Sequence, residues 1–107
     1  MAHKQAMEHT TLVVLSLLEK QEMYGYQMIA ELEKKFDPTF SMKEGTLYPV
    51  LKALENSGAV ESYQKAAPTG RMRKYYRITD KGLKQLQEEE RQWHAYERSI
   101  NAVLNMG

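Results

Sequence analysis

The sequence predicts a mainly α-helical fold with a small β-hairpin: a winged helix-turn-helix with three helices, a two-stranded wing and a long C-terminal helix. Two observations predict it. Hydrophobic periodicity gives the order helix, helix, helix, hairpin, helix along 107 residues. The segment 65–84 carries seven lysines and arginines against one acid, so its formal charge is +6 and that of the remainder is −5. This asymmetry favours an anion-binding edge, although a solvated charge run has the same composition.

The first helix is predicted at about Lys4 to Glu19. Its second half, "LVVLSLL", is apolar almost all round, so we expect one side to enter the core of its own domain and the other to be covered by a partner. The second helix is predicted within "YGYQMIAELEKKF" and ends at Asp37-Pro38. Gly25 marks either the start of this helix or a close backbone approach.

The third helix is predicted at about 42–57. Ser41 followed by Glu44 fits a capping box, in which each side chain bonds a free backbone N–H of the first turn. Gly58 fits the left-handed residue that commonly follows a helix. These two signals delimit the helix without reference to its hydrophobic pattern.

The start of the third helix contains two helix breakers, Gly45 and Pro49. Proline lacks the N–H that would bond the carbonyl four residues earlier, and glycine at that earlier position gives the backbone freedom to adjust. Two interpretations remain: the helix bends between these residues, or it starts afresh near Leu47. In both, Leu51 and Leu54 share the core-facing side with Leu47.

The hairpin is predicted from two β-prone runs, 59–65 and 72–78, separated by the loop sequence "AAPTGR". Side chains of the second run alternate between two faces, with Met72, Lys74, Tyr76 and Ile78 on one and Arg73, Tyr75 and Arg77 on the other. Tyr76 is predicted to enter the core, and Tyr75 to pack under the wing.

The last helix is predicted to start at about Asp80, with Thr79 as its N-cap. Apolar residues continue from Leu83 to Leu104, which is roughly 32 Å at helical rise. This length exceeds what a small domain covers, so we expect the helix to overhang its own core and its apolar stripe to meet a partner.

A helix-turn-helix places its later helix in the DNA major groove, with N-terminal residues near the base edges. We therefore expect Thr46 and Tyr48 to contact DNA, Lys43 and Lys52 to lie at the phosphates or at the groove edge, and Gly45 to allow close approach. The hairpin tip would follow phosphates or enter a minor groove. The complete predicted DNA-binding set is Tyr24, Ser41, Lys43, Gly45, Thr46, Tyr48, Lys52, Thr69, Gly70, Arg71, Arg73 and Lys74. For any single member, ordinary surface exposure is the competing interpretation.

Several classes are excluded or disfavoured by composition. The chain has no cysteine, so disulfides and cysteine ligands are excluded and a reducing cytoplasm is the expected compartment. Its longest aliphatic run, 12–18, is too short to span a bilayer, and no signal-peptide pattern follows it. The three histidines have no metal-ligand spacing, and no phosphate loop or nucleophile motif is present. We expect neither an enzyme nor a metal or cofactor site.

Three segments, "YGYQMIAELE", "EGTLYPVLKALENSGAV" and "TGRMRKYYRITDKG", together resemble the PadR family of bacterial transcriptional regulators over roughly residues 10–85. The resemblance implies a dimeric winged-helix regulator, usually a repressor, in which 1–79 form the DNA-binding domain and 80–107 the dimerisation helix. A single C-terminal helix is similar to the short subfamily. Ala59-Val60 departs from the bulkier aliphatics usual after the glycine. Two symmetric recognition helices about 34 Å apart imply an inverted-repeat operator.

The resemblance also implies release from DNA by a small hydrophobic or aromatic effector bound at the dimer interface. By position, the effector pocket or dimer interface would include Met7, Trp93, Tyr96 and Ile100. The simpler interpretation is that Trp93 only fills the dimer core. The alternative function is a winged-helix protein-interaction module that never binds DNA; the basic wing argues against it.

Overall fold

The computed structural model describes residues 2–35 and 41–106, and for residues 2–8 the backbone alone. The elements in chain order are α1 (Ala2–Lys20), β1 (Met23–Tyr24), α2 (Gly25–Lys35), α3 (Glu44–Asn56), β2 (Val60–Ala66), β3 (Met72–Ile78) and α4 (Asp80–Leu104). The predicted fold class, mainly helical with a small antiparallel sheet, is confirmed. The predicted end of the second helix at Asp37-Pro38 lies outside the described residues. Within those residues, no helix combines the length and apolarity needed to cross a bilayer.

The sheet contains one strand that was not predicted. β2 and β3 form the predicted hairpin, and β1 adds to the other side of β3 in the order β1-β3-β2. Met23 pairs with Tyr76, and Tyr24 with Tyr75. The sequence did not indicate this strand, because two residues are too few to show strand alternation.

The core lies between α1, α2, α3, the sheet and the first turns of α4. Val14 and Leu15 are fully buried, and Leu17 and Leu18 nearly so. At 100° per residue these four residues lie within one arc of about 160° on α1, and α4 of the same chain packs against this helix. On the other side, Leu12, Val13 and Ser16 are only partly buried. The expectation that this side needs a further cover stays a prediction.

The start of α3 differs from the prediction. The helix begins at Glu44, and its N-cap Lys43 is extended and receives no side-chain cap, so the capping box at Ser41 was wrong. Met42 is buried in the same core cluster as Leu47. These two residues occupy the positions of a hydrophobic staple, which fixes the chain entry by packing rather than by hydrogen bonding.

The two breakers do not interrupt α3. Both Thr46 and Leu47 donate their backbone N–H to the Lys43 carbonyl at 3.0 Å, and the helix runs on through Pro49. Neither predicted start, at 42 or near Leu47, is correct. Val50, in the turn that follows Leu47, is buried as well.

The remaining helix boundaries follow the sequence signals. Gly58 has φ +84°, as predicted for the residue after α3. The side-chain oxygen of Thr79 accepts a hydrogen bond from the Gly82 N–H at 3.1 Å, which confirms it as the N-cap of α4.

The far half of α4 extends beyond the core. The described chain measures 58 × 29 × 24 Å, and Leu86 is the last α4 residue among the fully buried side chains. Beyond it, Tyr96, Ile100, Val103 and Leu104 are 52, 43, 66 and 73% exposed. Their i, i+4, i+7, i+8 spacing places them on one side of the helix. We call these four residues the α4 stripe.

Candidate nucleic-acid interface

Three elements meet at an open concavity on the surface. It has a volume of about 270 Å³ and is lined by Tyr24, Gly25, Tyr26, Tyr48, Arg73, Lys74 and Tyr76. The start of α2, the second turn of α3 and strand β3 therefore converge here. We call this concavity the tyrosine notch. It brings together four residues that the sequence predicted for DNA binding, namely Tyr24, Tyr48, Arg73 and Lys74.

The ring of Tyr48 lies against the backbone of Gly25. A Cβ at Gly25 would come within 2.5 Å of the Tyr48 hydroxyl oxygen and 2.8 Å of two ring carbons. Glycine therefore permits the contact, and Gly25 marks both a helix start and a close approach. Burial, and secondarily the charge of Glu44, raises the pKa of Tyr48. Its hydroxyl stays protonated at neutral pH and available as a donor, while one part of the ring remains exposed.

The outer face of α3 is open at its first turn. Lys43, Gly45 and Lys52 are exposed and Thr46 is half-buried. Among the described residues, no atom lies within 4 Å of a Cβ built on Gly45. A second hollow of about 390 Å³, lined by residues that include Tyr26, Lys43 and Gly45, adjoins this turn. The first turn is thus accessible to a large ligand such as a duplex.

The wing tip is a tight exposed turn. Gly70 has φ +88°, and its N–H donates to the Ala67 carbonyl at 2.7 Å. The turn exposes Thr69, Gly70 and Arg71, as predicted. A left-handed residue is needed here, which explains the glycine.

The positive charge of the wing is partly neutralised by acids from elsewhere in the chain. The ion pairs are Lys65 with Glu22 at 3.4 Å, Lys74 with Glu55 at 3.6 Å and Arg77 with Glu61 at 3.3 Å. Within the described parts of the chain, Arg71 and Arg73 form no ion pair. The charge of +6 assigned to the segment therefore overstates its field, and within the hairpin the uncompensated charge lies at Arg71 and Arg73.

Glu55 joins the end of α3 to the wing. Its carboxylate accepts a hydrogen bond from the Ser62 hydroxyl on β2. This bond, followed by the positive charge of Lys74 on β3, lowers the pKa of Glu55. The carboxylate is therefore ionised at neutral pH, and it holds both wing strands to the end of α3.

A row of three tyrosines crosses the outer face of the sheet. Tyr24, Tyr75 and Tyr63 occupy paired positions on β1, β3 and β2. Tyr24 meets Tyr75 edge-on at 5.4 Å, and Tyr75 stacks on Tyr63 at 6.1 Å. Burial of Tyr63, followed by its neighbour Glu22, raises the pKa of Tyr63 to about 12. Tyr75 is buried by its neighbours on this face, and Tyr76 enters the core.

The residues predicted for an effector site lie apart from the notch, on α1 and α4. Trp93 is half-buried, 5.1 Å edge-on from the His9 ring and 6.1 Å from Tyr96. Ile100 continues the same side of α4. The side chain of Met7 lies outside the described residues. The contact with His9 carried no sequence signal, because it joins residues on opposite ends of the chain.

The described residues contain no group of three or more His, Asp or Glu side chains that could bind a metal ion. Ser41, the remaining predicted residue, is exposed just before α3. The site therefore offers cations, hydroxyl donors and exposed backbone, which are groups that bind anions and base edges.

Comparisons with known proteins also relate this chain to transcriptional regulators. A family model described as "Transcriptional regulator PadR-like family" matches residues 14–88. A protein of Lysinibacillus sphaericus named uncharacterized protein X is 35% identical over 96 residues, covering 90% of this chain and 88% of that protein. The negative transcriptional regulator PadR of Bacillus subtilis (strain 168) is 29% identical over 75 residues, covering 70% of this chain and 41% of that relative. The crystal structure of a PadR family transcriptional regulator from Eggerthella lenta DSM 2243 is 31% identical, with a TM-score of 0.82, covering 100% of this chain and 91% of that chain.

Proposed function

The chain belongs to the transcriptional regulator PadR-like family, and from this membership we propose that it is a cytoplasmic homodimeric repressor that binds an inverted-repeat operator. Members of the family are transcription regulators rather than enzymes. Membership of this family therefore implies regulation through DNA binding. The proposal adds that the protein represses transcription, that it is a homodimer and that its operator is an inverted repeat.

The observation that carries the proposal is the open surface shared by α3 and the wing. The first turn of α3 exposes Lys43 and Gly45, and the wing exposes Arg71, which has no ion pair with any side chain that the structure describes. With α3 in the major groove, the wing arginines lie at the flanking backbone or minor groove. An adaptor that never binds DNA has no use for this uncompensated charge.

The sign of regulation is supported by one relative. The protein from Bacillus subtilis is named a negative transcriptional regulator. The present chain spans 41% of the length of that relative. We therefore propose that binding blocks transcription here as well.

The homodimer is supported by the α4 stripe. Four large apolar side chains on one side of an overhanging helix are unfavourable in water. A second copy buries the same stripe by symmetry, because a two-fold interface uses one patch on both subunits. Two α3 helices related by this axis would read a palindromic site.

Selection of bound fragments from random or genomic DNA tests the proposal. We expect enrichment of an inverted repeat whose half-site centres lie about 10 base pairs, or a multiple of that, apart. We also expect one dimer per site in a titration. Recovery of unrelated sequences with no shared repeat would contradict operator binding and favour the adaptor.

We further propose that a flat aromatic effector binds beside Trp93 and weakens DNA binding. Trp93, His9 and Tyr96 form an aromatic cluster that shares Tyr96 with the α4 stripe. An effector acts only if it binds the DNA-incompetent arrangement more tightly.

Because Trp93 is the only tryptophan, its fluorescence reports directly on this cluster. Titration with planar aromatic drugs and phenolic acids is expected to quench the emission saturably and to release operator DNA in the same concentration range. Acetate is the control and should do neither. Unaltered emission with every aromatic compound would mean that Trp93 only packs the interface.

A further inference from the structure

We propose that Tyr24 is a positioning residue: the face of its ring holds the Arg73 guanidinium at the tyrosine notch, where Arg73 binds one backbone phosphate of the DNA. This inference rests on the proposed DNA-binding function. It assigns Tyr24 an indirect role, through Arg73, in place of the direct DNA contact predicted from the sequence.

Arg73 is distinguished from the other wing cations by its contacts. The guanidinium carbon lies 4.3 Å from the centroid of the Tyr24 ring, within the range of a cation–π interaction. Lys65, Lys74 and Arg77 also lie over tyrosine rings, at 5.1, 5.5 and 5.3 Å, but each has a carboxylate partner. Arg73 alone among these four combines a fixed direction with a charge that no described carboxylate compensates.

Tyr24 is itself held firmly. Its backbone pairs with Tyr75 in the sheet, and its ring packs edge-on against the Tyr75 ring at 5.4 Å. Its backbone N–H donates to the Gln27 side-chain oxygen at 3.4 Å, as in the second half of a capping box. The platform for Arg73 is therefore anchored to both β3 and the first turn of α2.

The geometry suits a phosphate. A ring over one face of a guanidinium leaves the N–H edges free, and these edges bind two phosphate oxygens at once. Tyr24 directly precedes α2, so Arg73 lies near the positive end of that helix, which adds to the attraction for an anion. The notch is open and also contains the protonated hydroxyl of Tyr48.

Four variants of the full-length protein separate positioning from other roles. Arg73→Ala removes the guanidinium, Tyr24→Leu removes the ring and Tyr24→Phe removes only the hydroxyl. Arg77→Ala is the matched control, because Arg77 lies over the Tyr63 ring on the same face of β3 but is paired with Glu61. Operator affinity is measured for each variant across a range of salt concentrations, together with a thermal melt.

We expect Arg73→Ala to weaken operator binding about ten-fold and to reduce the slope of log affinity against log salt by about one per half-site. Tyr24→Leu should reproduce much of both losses, and Tyr24→Phe should retain binding within about two-fold because the ring face remains. The double variant Tyr24→Leu, Arg73→Ala should be no weaker than Arg73→Ala. Arg77→Ala should keep the salt slope.

Two results would overturn the inference. Equal losses in Tyr24→Phe and Tyr24→Leu would make the hydroxyl a direct DNA contact, and additive losses in the double variant would make the two residues independent. If Tyr24→Leu melts below the assay temperature, Arg73→Ala is compared with Arg77→Ala and Tyr24→Phe instead. A wild-type dependence of affinity on salt in Arg73→Ala refutes the phosphate contact. Failure of the wild-type protein to bind any operator would instead refute the proposed function.

Discussion

Replacing Gly82 by alanine is expected to lower the free energy of unfolding by about 3 kcal/mol, the upper end of what overpacking usually costs. The new Cβ would overlap the backbone carbonyl oxygen of Ala59 and lie 2.7 Å from Cγ1 of Ile78. That carbonyl cannot turn away without loss, because it accepts a hydrogen bond from the Thr79 N–H at 3.0 Å. The single hydroxyl hydrogen of Thr79 is shared between this carbonyl, at 3.0 Å, and that of Gly58, at 2.6 Å. Relief requires α4 to move away from the start of β2.

Gly45→Ala is the matched control for Gly82→Ala. Both replace a glycine in the first turns of a helix, but a Cβ at Gly45 meets no atom of residues 9–35 or 41–106 within 4 Å. The free energy of unfolding of the Gly45→Ala variant is expected to stay unchanged or to rise by about 0.4–1 kcal/mol, because alanine restricts the unfolded chain and favours the helix. Chemical denaturation of the two variants measures the difference. Similar midpoints for both would show that α4 does not pack on Ala59 as closely as described.

Ile100→Glu is expected to weaken the homodimer at least a hundred-fold, or by about 2.7 kcal/mol. Ile100 lies at the centre of the α4 stripe and would carry a carboxylate into an apolar interface, where a charge without a partner is costly. Because Ile100 is exposed within the subunit, the fold of the monomer should persist. Sedimentation equilibrium measures the dissociation constant, and operator affinity should fall with it.

Ala102→Glu controls for the added charge. Residue 102 follows Ile100 by two positions, so it lies about 200° around the helix, on the side away from the stripe, and it is exposed. We expect this variant to dimerise like the wild type. A dimer unaffected by Ile100→Glu, or equally weakened by both changes, would remove the stripe as the interface.

Local signals in the sequence were sufficient for the order of the main elements and for several of their ends. Thr79 caps α4 and Gly58 adopts a positive φ after α3, because each depends on groups within a few residues along the chain. The hairpin could also be predicted, because the alternating side chains of its strands and the proline and glycine of its loop indicate the same structure. Periodicity likewise placed Leu47, Leu51 and Leu54 in the core.

The sequence by itself thus determined a winged helix-turn-helix with a basic wing and an overhanging apolar helix. Only the tertiary structure decided that Met42 replaces a capping box with a hydrophobic staple, and that β1 joins the sheet. It also decided that Glu22 neutralises Lys65 from 43 residues away, while Arg73 stays uncompensated over Tyr24. The physical reason is range: caps and turns are set by neighbours along the chain, whereas charge compensation and ring contacts join residues that only folding brings together.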